Sequence, residues 1–113
     1  MRLAVSAAAC AAALSTLAAF AVLGGSVSAA PGDVAVTMKN FDFQPMSVAV
    51  PVGAAVTWTN LDGEPHTVTS VDGLFRSGAL DQGDHFTFRF AKPGVYAYLC
   101  SIHPRMRATV TVR

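Results

Sequence analysis

Cysteine is nearly absent from this chain. Its 113 residues include two, Cys10 and Cys100, and only the second lies beyond an apolar amino-terminal stretch. A single thiol cannot close an internal disulfide, so the body of the chain is not held by a bridge framework. Charge of one sign is lacking as well, since 8 Lys+Arg stand against 7 Asp+Glu for a formal net charge of +1. With no field of either sign to offer, a basic nucleic-acid surface and an acidic tail are both excluded as main readings. After residue 30 there is no apolar stripe at helical spacing, no repeat, no linker and no low-complexity tract. That absence removes the helices a parallel crossover sheet needs. The length allows one domain and hardly more.

What is present divides into two kinds of polypeptide. Residues 1–30 hold 12 alanines and one charge, Arg2, while every other charge and most of the Gly, Pro and aromatic residues follow. Met1-Arg2 gives a short positive end and Leu3 to Leu23 an apolar run. Val27-Ser28-Ala29 gives a small-residue exit before Ala30-Pro31-Gly32. This is the pattern of a secretory signal over residues 1–29, cut after Ala29, and it implies a periplasmic or secreted domain over residues 30–113. About 20 apolar residues could instead stay as an anchor, but no positive stop-transfer flank follows. Cys10 falls too early in the run to be a lipid acceptor and is read as part of the signal.

The remaining 84 residues carry seven basic and seven acidic side chains and alternate with period two almost throughout. Val34, Val36 and Met38 share one face, Val48 and Val50 another, and Val56 and Trp58 a third. His66 to Val71 reads as a short strand and residues 72–83 as irregular chain. Phe86, Phe88 and Phe90 form the plainest apolar face, opposite His85, Thr87 and Arg89. Ala108, Val110 and Val112 line the last strand. Seven or so short strands punctuated by Gly and Pro predict an all-β, antiparallel Greek-key sandwich. Trp58 and the phenylalanines are expected in the core, Met38 and Met46 in core or loop packing, and His85 on the surface. Tyr96 or Tyr98 is expected to bond its hydroxyl to backbone.

An unpaired thiol in an oxidising compartment is exposed to oxidation unless it is buried or coordinated. Cys100-Ser101-Ile102-His103-Pro104-Arg105-Met106 supplies the reason to expect coordination, because C-x2-H-x2-M places thiolate, imidazole and thioether in one interstrand loop. His66, which follows the turn Gly63-Glu64-Pro65, is the candidate for a fourth ligand from another strand. Two imidazoles, a thiolate and a weak thioether suit copper and one-electron chemistry. Zinc more often takes four strong ligands or keeps a water.

The sequence resembles the cupredoxins, small blue copper proteins, and among them the amicyanin-like and plastocyanin-like members. The likeness covers nearly all of residues 30–113. It runs through Phe41-Asp42-Phe43-Gln44-Pro45, Val50-Pro51-Val52-Gly53, Val56-Thr57-Trp58-Thr59-Asn60 and Pro65-His66-Thr67-Val68, and then from Pro93 to Met106. The two residues between His103 and Met106 match the short amicyanin type of loop. The resemblance implies His66, Cys100 and His103 as strong ligands of one type 1 copper, with Met106 axial. It also implies single-electron shuttling between larger redox proteins, with no reaction on a substrate. Two positions depart from the pattern. Thr67 stands where these groups usually have an asparagine that braces the ligand loop, and its hydroxyl is expected to keep a hydrogen bond while shifting the potential. Arg105 stands where the loop tends to be apolar. With Arg107 it points to an acidic partner surface, docked transiently beside His103 by a monomeric carrier.

Other chemistries fit less well. A hydrolase with Cys100 as nucleophile has no use for Met106 and little room for a cleft. The three histidines include no H-x-H pair for a multicopper cluster. A periplasmic copper carrier, buffer or resistance protein would use the same ligands and is the remaining alternative.

Overall fold

The computed structural model describes residues 31–113, so the leader expected over residues 1–29 lies outside them. Among the described residues no helix is long and apolar enough to cross a membrane. Eight strands follow in order: β1 (Val34–Lys39), β2 (Asp42–Gln44), β3 (Ser47–Val50), β4 (Ala55–Asn60), β5 (Thr69–Ser70), β6 (His85–Arg89), β7 (Gly94–Leu99) and β8 (Arg107–Val112). They form two four-stranded sheets, β2-β1-β4-β6 and β3-β8-β7-β5, the sandwich that the alternation predicts.

Two pairings within it are parallel, β1 with β4 and β3 with β8. The chain leaves the first sheet after β2, forms β3 in the second and returns for β4, so β4 arrives beside β1 running the same way. The return is made at Pro51-Val52-Gly53-Ala54, where Ala54 N donates to Pro51 O at 3.1 Å and Gly53 takes φ +92°. A turn that needs positive φ at its third residue favours glycine there.

Alternation places the core where expected. Val36, Met38, Val56, Trp58 and Val110 are buried between the sheets. Trp58 lies between Phe75 at 5.7 Å and Phe86 at 5.9 Å, with the ring of Tyr98 edge-on at 5.4 Å. Phe86 and Phe88 are only half-buried, because β6 is the outer strand of its sheet, whereas Phe90 beyond its end is buried. Tyr96 donates its hydroxyl to Lys92 O at 2.8 Å, as a sandwich tyrosine was expected to. Tyr98 instead buries its hydroxyl without a hydrogen-bond partner, as Trp58 does its Nε1. Burial pushes the Tyr98 phenol up to about 12.

The strand expected over His66 to Val71 shrinks to Thr69 and Ser70. The irregular chain that follows satisfies the rest of this backbone. Val68 N donates to Ser77 Oγ at 2.8 Å, Ser77 N to Val68 O at 2.9 Å, and His66 and Leu80 exchange a pair of bonds. His66 is therefore held by a loop and is free of the sheet's register.

Candidate metal centre

The buried amide of Asn60, at the end of β4, builds the turn that presents His66. Its Nδ2 donates to Glu64 O at 2.8 Å and to Leu80 O at 2.9 Å, while its Oδ1 accepts from Asp62 N at 2.9 Å. Those three bonds fold Leu61 to Pro65 tightly and deliver a fully buried His66. On the other side of the site, Cys100 follows the last residue of β7 and Met106 precedes the first of β8. Cys100 N donates to Met106 O at 3.0 Å and Met106 N to His103 O at 2.9 Å, closing the loop on itself. Cys100 and Met106 are buried, and His103 is half-buried.

Three of the four residues singled out in the sequence converge through their donor atoms. His66 Nδ1 lies 3.2 Å from His103 Nδ1, and Cys100 Sγ lies 3.9 Å and 3.8 Å from those two nitrogens. A triangle with sides of 3.2, 3.9 and 3.8 Å has its centre about 2.1 Å from each corner, within the range of metal–nitrogen and metal–sulfur bonds, roughly 2.0 to 2.3 Å. The donor set thus fits one small ion. Met106, the fourth, lies at the end of the same loop. His85 is exposed on β6 and stays outside the cluster, as expected.

Asp62 was not picked out as a site residue, nor was Asn60. Asp62 Oδ2 accepts from His66 Nε2 at 2.8 Å, and the carboxylate also accepts from Asn40 N at 2.8 Å and Phe41 N at 3.0 Å. Burial raises the pKa of this carboxyl, but hydrogen bonds from the Phe41 N–H, from His66 and from the Asn40 N–H outweigh it and hold the group below its ordinary value. Asn40 and Phe41 both take left-handed φ, 55° and 58°, which turns their successive N–H groups onto the carboxylate. The same turn sets the Phe41 ring edge-on to His66 at 5.3 Å and to His103 at 5.1 Å. The only sequence signal for this arrangement is an acidic residue four positions before the histidine, inside a polar turn.

Thr67 keeps the bracing role expected of it. Its Oγ1 accepts from Ser101 N at 2.8 Å, within the Cys100–Met106 loop, and its backbone N–H donates to Cys100 Sγ at 3.3 Å. Replacing Thr67 with valine keeps shape and removes the hydroxyl. We expect a loss of about 1 to 3 kcal/mol in denaturant unfolding of the metal-free protein, the range for stranding a hydrogen-bonded group. An unchanged midpoint would show that the hydroxyl braces nothing.

Fold and cluster together define a class, a small β-sandwich with a candidate mononuclear site of mixed nitrogen and sulfur donors at one pole. The chain belongs to the cupredoxin family, since the family model described as a Cupredoxin-like domain matches residues 5–112. It is 35% identical to amicyanin-alpha of Methylorubrum extorquens over 112 residues, covering 90% of this chain and 94% of that protein. It is 31% identical to plastocyanin of Scenedesmus fuscus over 63% of this chain and 86% of that one. Among solved structures it is similar to a purple cupredoxin from Nitrosopumilus maritimus, at 37% identity and a TM-score of 0.66 over 72% of this chain and all of that one. A Cu-containing nitrite reductase from Thermus scotoductus aligns at 30% identity and a TM-score of 0.69, over 79% of this chain but 24% of the reductase.

Proposed function

We propose that this chain is an exported carrier of single electrons, holding one copper ion through His66, Cys100, His103 and Met106. The observation that carries the reading is the donor triangle, two imidazole nitrogens and one sulfur spaced for a single ion. Bound there, copper supplies a one-electron couple, and a His2Cys set with a weak axial Met is the ligand pattern of blue-copper electron transfer. Amicyanin and plastocyanin, the relatives matched over most of their length, support the same assignment.

The chain's own residues do the rest. Asn60 and the Cys100–Met106 loop hold the donors from both sides, so the ligand positions depend little on the ion's charge. Thr67 N–H donates to the sulfur, and hydrogen bonding at the cysteine is one of the settings of a copper site's potential. His103 is the least buried of the ligands and sits beside exposed Phe41 and Ile102, which makes it the side at which a partner meets the centre. Arg105 and Arg107 are exposed next to it, and Arg107 Nε donates to Pro104 O at 3.0 Å. An acidic redox partner docking there briefly fits this surface. Residues 1–29 would direct export and be removed, leaving residues 30–113 as a monomeric working domain without enzymatic activity. The likeness to the nitrite reductase covers 24% of that enzyme.

A potentiometric titration of copper-loaded protein, followed by visible absorption and EPR, tests the reading. Intense colour in the oxidised form, lost and regained reversibly, is expected. A colourless Cu(II) form would defeat the assignment of a blue site. Irreversible loss of metal on reduction would favour a copper carrier.

A further inference from the structure

Asp62 plays no part in the ligand set, yet it is bonded to one of its members and to the turn that covers two of them. A carboxylate offers only acceptors, so the proton of the 2.8 Å contact belongs to His66 Nε2. An imidazole that carries its proton on Nε2 leaves the lone pair on Nδ1, the atom that faces Cys100 Sγ and His103 Nδ1. The carboxylate cannot swing away freely, because the backbone N–H groups of Asn40 and Phe41 grip both of its oxygens. Its side chain is 13% exposed, so water screens its charge only partly.

We propose that Asp62 is a positioning residue, which fixes the Nε2–H form of His66 and favours the oxidised ion through its negative charge. The inference rests on the copper reading of the site, although its first consequence needs no metal. Second partners of ligating histidines typically contribute 10 to 100-fold in metal affinity. A negative charge one imidazole away from the ion is felt more by the doubly than by the singly charged state.

Two variants test it. In metal-free protein, ¹⁵N NMR of the ring nitrogens should show His66 as one tautomer, protonated on Nε2. Asp62→Ala should give a mixture, and Asp62→Asn, whose amide oxygen still accepts, should keep the single form. With copper, Asp62→Ala should weaken Cu(II) binding about 10 to 100-fold. Asp62→Asn should raise the reduction potential, by about 59 mV for each tenfold by which Cu(II) binding suffers more than Cu(I) binding. A turn cap alone would change the melting temperature of the metal-free form and neither of these. An unchanged tautomer in Asp62→Ala, or an unchanged potential in Asp62→Asn, overturns the proposal. If the wild-type protein fails to bind copper, the functional reading falls while the tautomer measurement still decides the role of Asp62.

Discussion

Replacing Cys100 with serine is expected to abolish the visible colour of the copper-loaded protein outright. The intense absorption of a His2Cys copper site belongs to the bond between copper and thiolate, and a serine hydroxyl is neither soft nor ionised at neutral pH. Cys100 is buried, with the Thr67 N–H directed at its sulfur, so no other thiol can substitute from nearby; among the described residues it is the only cysteine. Met106→Leu makes the informative contrast. A weak axial ligand sets potential more than it sets colour, so the leucine variant should remain coloured at a shifted potential. Equal loss of colour in both variants would mean that Met106 is not axial. Absorption spectra and redox titrations of the two proteins decide between these outcomes.

The largest effect on stability is expected from Trp58→Ala. The indole is fully buried at the centre of the sandwich, between Phe75 and Phe86 and against the edge of Tyr98. Emptying such a site costs the transfer free energy of the ring together with a cavity that two stiff sheets cannot close, about 3 to 5 kcal/mol. Trp58→Phe should cost much less. It keeps an aromatic ring in place and removes a buried N–H that has no hydrogen-bond partner. Urea unfolding of the metal-free proteins separates this effect from the stabilisation that bound metal adds to the native state. A loss below about 1 kcal/mol in Trp58→Ala would mean that the interior collapses around the gap.

Much of the sandwich was legible because burial on one face of a strand writes itself into every second residue. Val36 with Met38, Val48 with Val50, and Ala108 with Val110 and Val112 all face the interior as the alternation predicts. Alternation says which face is buried and nothing of which strand lies alongside, so the parallel pairings of β1 with β4 and β3 with β8 were not visible. It also failed at the edges. The Phe86 and Phe88 face is half-buried on an outer strand, and the strand expected after His66 gives way to a loop that pairs with residues 75–80.

The amino-acid sequence by itself determined the fold class and which side chains were candidate donors, because Cys100, His103 and Met106 lie within seven residues and short-range spacing survives any arrangement of the sheets. Tertiary structure alone decided how His66 is met and oriented. Asn60 and Asp62 lie near His66 in sequence, but Leu80 is 20 residues from Asn60, and Asn40 and Phe41 reach Asp62 from 22 and 21 residues away. Hydrogen bonds between such distant residues depend on where two loops come to rest at one end of the sandwich, and no local pattern of residues encodes that.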